Sequence, residues 1–206
     1  MVENIHWLGH DTFKIEGQGL VIYTDPFQIK KEDQADLILI THEHRDHCSP
    51  EDIAKLLGPD TVIVTVADCL AKISGSVTVV KPGDRITIKG IEIEAVPSYN
   101  TNKQFHTKDR GWVGYIFAVE GKRIYIAGDT DHIPEMKGFT DIDIALLPVS
   151  GTYVMTAEEA VQAALDITPG LAIPMHYGSV VGEADDARRF AEALKGKIAV
   201  TILKEE

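Results

Sequence analysis

Cysteine is nearly absent from this chain of 206 residues: Cys48 and Cys69 are its only two, and they lack C-x-x-C spacing. That count excludes a disulfide-stapled scaffold and a thiolate-rich structural metal knot. Cys48 directly follows His47, so thiolate ligation competes there with the simpler reading of a small packing residue at a helix start. Long apolar runs are missing as well. Asp143–Val149 and Asp36–Ile40, among the longest, fall far short of the roughly 20 residues a bilayer span requires. The N-terminus carries neither the basic region nor the apolar stretch of a secretion signal, which makes the cytoplasm the expected location. Basic residues are few, 20 Lys and Arg against 32 Asp and Glu, for a formal net charge of −12. Such a surface argues against nucleic-acid and anionic-membrane partners. A small anionic substrate stays compatible with it, because a site's local field can oppose the global one. No composition feature fixes an oligomeric state.

What is present is an ordinary globular balance, 44% hydrophobic and 25% charged, at a length that suits one domain over residues 1–206. Short runs rich in Val, Ile and Tyr dominate the first two-thirds and predict strands at Ile5–Ile15, Gly19–Thr24, Leu37–Thr41, Thr61–Val66, Val77–Val80, Ile86–Ile88, Ile91–Val96, Trp112–Val119, Arg123–Ala127 and Ile142–Leu147. Lys89-Gly90 and Gly121-Lys122 read as tight hairpin turns. Helices are better signposted. Ser49-Pro50-Glu51-Asp52 offers an N-cap serine, a first-position proline and first-turn acids. Thr156 and Glu159 fit a capping box opening a helix to about Asp166. A further helix is expected over Glu183–Leu194 and a last strand over Ile198–Leu203. Strands first, then strands mixed with helices, fit two sheets packed face to face with helices outside.

The histidines fall on this map in a pattern. Three of the eight, His42, His44 and His47, lie within six residues, immediately after the apolar strand Leu37–Thr41. His42 and His44 are two apart in extended chain and so point to the same side. Asp46 and His47 follow on a turning backbone, so one stretch can aim two ligand pairs at adjacent points. A chance H-x-H-x-D-H is on the order of one in a thousand for a chain of this length, so a merely solvated loop is the weaker reading. Imidazoles joined by carboxylates suit zinc, with manganese and iron as further candidates. Two more apolar strands end in similar groups. Gly128-Asp129-Thr130 follows Ile124–Ala127, with Asp129 able to bridge two metals. Met175-His176-Tyr177-Gly178 follows Leu171–Pro174. In isolation each reads as an ordinary turn or a structural histidine; beside the first cluster both become ligand candidates.

Together these segments resemble the metallo-β-lactamase-fold superfamily of metal-dependent hydrolases. The likeness runs over nearly the whole chain, through Trp7-Leu8-Gly9-His10-Asp11-Thr12-Phe13, Thr24-Asp25-Pro26-Phe27, Thr41 to His47, Gly128-Asp129-Thr130, Leu147-Pro148 and Pro174-Met175-His176-Tyr177-Gly178. It is greatest to the small branch that includes ascorbate-6-phosphate lactonase-like hydrolases. The resemblance implies an α+β fold, an αββα sandwich with the site at one edge between the sheets. It implies two divalent cations, the first on His42 and His44, the second on Asp46, His47 and His176, with Asp129 bridging. The family supplies another histidine after the strand matching Ile91–Val96, where this chain has Asn100. His106 is therefore expected to fold back into that vacancy, with Asn100 a weak ligand or oxyanion donor.

The chemistry expected of such a pair is hydrolysis of a small anionic ester, phosphodiester or lactone by activated water. Asp46, His10 and Asn100 are the candidates for the reaction itself, His10 as a proton donor at the cleft rim. Asp25 is expected to orient a ligand histidine from behind. Tyr153 is a candidate substrate contact. Asp131 and His132 are expected in a solvated loop, and Lys103, Lys108 and Arg110 form a locally basic one. Three rival readings keep the same residues: a di-iron oxidoreductase, a metal-dependent nuclease and a degenerate binding protein. Against the first two stand the lack of a dinucleotide glycine fingerprint and of a basic stripe.

Overall fold

The computed structural model describes residues 2–30 and 33–206. Two mixed sheets carry the fold. The first has six strands in the order β1-β2-β3-β4-β5-β6: β1 Ile5–Trp7, β2 Phe13–Gly17, β3 Leu20–Thr24, β4 Ala35–Leu39, β5 Leu57–Thr65 and β6 Ser76–Val79. The second has seven, ordered β13-β12-β11-β10-β9-β8-β7: β7 Arg85–Ile88, β8 Ile91–Pro97, β9 Val113–Val119, β10 Lys122–Ile126, β11 Ile144–Pro148, β12 Leu171–Met175 and β13 Ala199–Val200. Strands β3 to β6 run parallel, as do β10 to β13, and hairpins complete each sheet. This is the α+β sandwich expected from the order of elements.

Three helices join them: α1 Pro50–Leu56, α2 Ala157–Ile167 and α3 Ala184–Leu194. Each starts where its cap dictates. The Ser49 side chain accepts from Asp52 N. In α2, Glu159 N donates to Thr156 Oγ1 at 3.1 Å and Thr156 N to Glu159 Oε2 at 2.8 Å, a closed capping box that contributes about 1 kcal/mol. Ala157, Ala160, Val161, Ala164 and Ile167 are buried, the spacing of one helical face. Helix α2 lays that face on α3 and β11.

One buried core fills the space between the sheets. Tyr115 crosses it: fully buried on β9, its hydroxyl lies 2.8 Å from Ile40 O in the other sheet. Leaving that hydroxyl unpaired would cost about 1–3 kcal/mol, so it ties the layers directly under the strand end that carries His42. Among the described residues, no helix is long and apolar enough to cross a membrane.

Two expected strands differ. Ile5–Ile15 is broken into β1 and β2 by a turn in which Gly9 and His10 take φ of 103° and 50°. The last strand shrinks to Ala199–Val200, because only Leu171 and Ala172 pair with it. Cys48 and Cys69 are both buried in the core; Cys48, hydrogen-bonded to Cys69, is a packing residue whose thiol is pushed far above its usual range.

Candidate metal centre

Parallel strands end on the same side of a sheet, and loops there carry reactive groups on rigid supports. Here β3 ends in Asp25, β4 leads into His42 to His47, β8 into Asn100, β10 into Asp129, β11 into Ser150 and β12 into His176. Three of these residues or their neighbours hold a left-handed backbone without being glycine: His10, Asp25 and His176, at φ of 50°, 38° and 59°. Such strain persists only where the surroundings over-determine it.

The side chains meet at Asp129, which is 4% exposed. Its Oδ2 lies 3.1 Å from His106 Nε2. Its Oδ1 lies 3.3 Å from His47 Nε2 and 3.2 Å from His176 Nε2. The two carboxylate oxygens therefore face two pockets. In the first, His44 Nδ1 stands 3.1 Å from His42 Nε2 and 3.2 Å from His106 Nε2. In the second, His10, Asp46, His47 and His176 bring ligand atoms within 4.8 Å of one another. Gly128 permits the approach of Asp129: a Cβ there would sit 3.0 Å from the Thr41 side chain.

Four of the five buried imidazoles are fixed from behind through Nδ1; the fifth, His10, has no hydrogen-bond partner at Nδ1. His47 Nδ1 meets Asp25 Oδ2 at 2.8 Å. His42 Nδ1 meets Thr41 Oγ1 at 3.0 Å, whose own proton goes to Asp25. His106 Nδ1 meets Asn100 Oδ1 at 3.2 Å, and His176 Nδ1 meets Ser150 Oγ at 3.0 Å. With each Nδ1–H donated outward, every Nε2 lone pair points inward. The inner atoms of the second pocket, His47 Nε2, His176 Nε2 and Asp129 Oδ1, have no hydrogen-bond partner. Lone pairs gathered this way at low exposure repel one another until a cation or proton enters. The donor set fits divalent metal.

Electrostatics agree. Burial pushes the Asp129 carboxyl up, but His176 and His47 outweigh it and hold the group well below the usual carboxylate range. Burial drives His42 well below its ordinary value, leaving it neutral. His47 moves the other way, because the facing Asp129 and Asp25 carboxylates overcome the effect of burial. His44 and Asp46 remain partly exposed and form the mouth. A groove of about 550 Å³ opens beside Asp46, between Phe27, Arg45, Lys55 and Val180.

Several expected roles change. The loop after β8 does fold back, bringing His106 to His42 and His44. Asn100 is neither ligand nor oxyanion donor: its amide nitrogen donates to Tyr153 O at 2.8 Å and Asp131 Oδ1 at 3.2 Å, and its oxygen accepts from His106 N at 3.0 Å and His106 Nδ1. It positions His106. His10 is not at the rim but 1% exposed; burial pulls its imidazole down to about 4, so it is neutral at physiological pH, and its Nε2 is held 3.2 Å from Asp46 Oδ2. Asp131 is buried rather than solvated and anchors the loop by accepting from Thr101 N at 2.7 Å and Lys103 Nζ at 2.6 Å. Lys103 is thereby committed, as is Lys108 to Glu135 at 2.8 Å, so the basic loop has little charge free for an anion. Replacing Asn100 with alanine is expected to weaken cation binding in the first pocket by about 10–100-fold while sparing the second, measured by calorimetric titration of the metal-free protein.

Sequence reasoning missed Asp11, Trp112 and Ser150. Trp112 walls the first pocket, its ring 4.7 Å from His42 and 4.9 Å from His44. Ser150 had a usable signal, since it follows β11 as the other site residues follow their strands. Asp11 is fully buried, and burial pushes its carboxyl up to about 7 against the pull of His176 and His47.

Histidines and carboxylates converging from strand ends at one edge of two packed mixed sheets define a protein of the αββα class with side-chain clusters that could hold metal. Residues 4–176 match the beta-lactamase superfamily domain, and the chain belongs to that superfamily. A UPF0173 metal-dependent hydrolase of Thermoplasma acidophilum is 33% identical over 214 residues, covering 97% of this chain and 93% of that protein. Another, of Pyrococcus abyssi, is 33% identical over 216 residues, covering 97% and 96%. The crystal structure of a protein of Parabacteroides distasonis, provisionally named a metal-dependent hydrolase, superposes with a TM-score of 0.88 at 37% identity, covering 97% of this chain and 93% of that one.

Proposed function

We propose that this chain is a metal-dependent hydrolase that holds two divalent cations and cleaves a small anionic ester, phosphodiester or lactone. The observation that carries the reading is the common orientation of four buried imidazoles, each fixed outward through Nδ1 and each aiming Nε2 into a pocket that shares Asp129. His42, His44 and His106 would hold the first cation, Asp46, His47 and His176 the second, with Asp129 serving both. Zinc is the first candidate and manganese or iron the others. Cations there would supply Lewis-acid polarisation of the scissile group and an acidified water.

The chain's own residues do the rest. Asp25 and Thr41 lock the His47 and His42 rings, so neither reorients as charge develops. His10 holds one oxygen of Asp46, and that contact together with the charge of His47 outweighs burial and keeps the partly exposed carboxyl well below its usual range, ionised and oriented toward the second pocket. Trp112 closes one side and excludes water from the first pocket. The groove beside Asp46 would receive the leaving group, with Arg45, largely exposed and 4.0 Å from Glu51, at its edge.

Metal analysis with an activity screen tests this. Protein reconstituted with excess metal and desalted is expected to retain two equivalents per chain and to turn over bis-p-nitrophenyl phosphate or a member of a lactone panel. A chelator should abolish turnover and re-addition restore it. His106→Ala is expected to keep one equivalent. Two equivalents retained by that variant would remove His106 from the ligand set, and a wild type that neither binds metal nor turns over any ester would end the hydrolase reading.

A further inference from the structure

The turn between β1 and β2 is tightly held. Leu8 N donates to Thr12 O and Thr12 N to Gly9 O, both at 2.9 Å. Trp7 Nε1 and His176 N donate to His10 O at 2.9 and 3.2 Å. Thr24 Oγ1 donates to Asp11 O at 3.1 Å, and Thr12 Oγ1 to Asp25 O at 2.7 Å. Against this background the Asp11 carboxylate stands out: it is fully buried, and neither oxygen has a hydrogen-bond partner. Asp25, by contrast, accepts from Thr41 N and His47 Nδ1, and Asp129 is the carboxylate on which the histidine cluster converges. His47 Nδ1 is 3.8 Å from Asp11 Oδ2, but it points its proton at Asp25, 2.8 Å away. A strained turn, with Gly9 and His10 both left-handed, thus delivers an unsatisfied carboxylate to the floor of the site. Only a proton or a cation can satisfy it.

Asp11, Asp129 and His176 bring ligand atoms within 4.8 Å of one another. We propose that Asp11 is an additional ligand to the second cation, making that position carboxylate-rich and selective for a hard divalent ion of the manganese type over zinc. The inference rests on the two-cation reading and names the metal class for one of its positions. In the two-cation reading Asp46, His47, His176 and Asp129 would supply the four ligands that zinc prefers. Asp11 adds a third carboxylate beside two imidazoles and raises the ligand number beyond four, which suits oxygen-preferring cations with five or six ligands.

The test is separate calorimetric titration of metal-free wild type, Asp11→Asn and Asp11→Ala with manganese and with zinc. Both variants are expected to bind one of two manganese equivalents about tenfold or more weakly, while zinc affinity changes by less than about threefold. No change for either metal, or a proportionate loss for both, overturns the proposal. A buried-turn variant can fail to fold, so manganese-soaked wild-type crystals give a second measurement. An Asp11 oxygen within about 2.4 Å of the ion supports it. Two ions seated on the histidines with Asp11 clear of both overturn it while leaving the hydrolase reading intact. Retention of no cation at all overturns both.

Discussion

Replacing Asp129 with asparagine is expected to abolish stable binding of both cations and to lower kcat/KM by about 10³-fold, or about 4 kcal/mol of transition-state stabilisation. Asp129 faces both pockets. Its oxygens face His106 on one side and His47 and His176 on the other, at 3.1 to 3.3 Å. Asparagine keeps the shape but withdraws the charge and turns one of those oxygens into an N–H donor. That donor would point at an imidazole lone pair, or the amide would flip and point it at the other pocket. Neither orientation serves two cations. The substituted side chain cannot shift away, because Gly128 pins the turn against Thr41 and Ser98 Oγ donates to Asp129 O at 3.1 Å. Metal content after equilibrium dialysis, measured beside turnover, checks the prediction. Wild-type metal content in Asp129→Asn would show that the pockets are independent.

The parts of this arrangement that were legible from sequence are those where one segment carries the information. The cluster His42 to His47 announces itself because three imidazoles and a carboxylate follow one apolar strand. Thr156 and Glu159 predict a helix start because capping is a contact between residues three apart. Asn100 was misread because its role depends on three distant partners: Asp131, the carbonyl of Tyr153, and His106. Its amide looks available until those groups are placed around it. The Lys103–Asp131 ion pair inverts the reading of the basic loop for the same reason. Left-handed backbone at His10, Asp25 and His176 was weakly legible, since His and Asp tolerate it more than most residues but occur far more often outside it. Asp11 was missed because it fell inside the expected strand Ile5–Ile15, away from the strand ends where the ligand candidates were sought. Its burial becomes visible only when β3, β10 and β12 close around it.

The second large effect is expected at Asp25, a residue that touches no pocket directly. Asp25→Asn should weaken the second cation position by about 10²-fold while leaving the first within about threefold. Asp25 is fully buried and its two oxygens accept three protons, from Thr41 N and Thr41 Oγ1 at 2.7 Å each and from His47 Nδ1 at 2.8 Å. An asparagine oxygen can keep Thr41 N, but its NH₂ group then faces the Thr41 hydroxyl and His47 Nδ1. The hydroxyl can rotate; the imidazole must change tautomer. Its proton moves to Nε2, which points at Asp129 Oδ1 across 3.3 Å, and the lone pair that would hold a cation is lost. Loss of the correct tautomer by the same Asp-to-Asn change is worth about 10⁴ in kcat in a serine-protease triad, so a hundredfold loss of affinity is a conservative expectation. His42 is sheltered, because it leans on Thr41 Oγ1 rather than on Asp25 itself. Nitrogen-15 shifts of the His47 ring, recorded at a pH high enough to deprotonate the raised imidazolium, report the tautomer without any metal present. A ring that keeps its proton on Nδ1 in Asp25→Asn, with two wild-type binding steps, would show that Asp25 serves the fold alone.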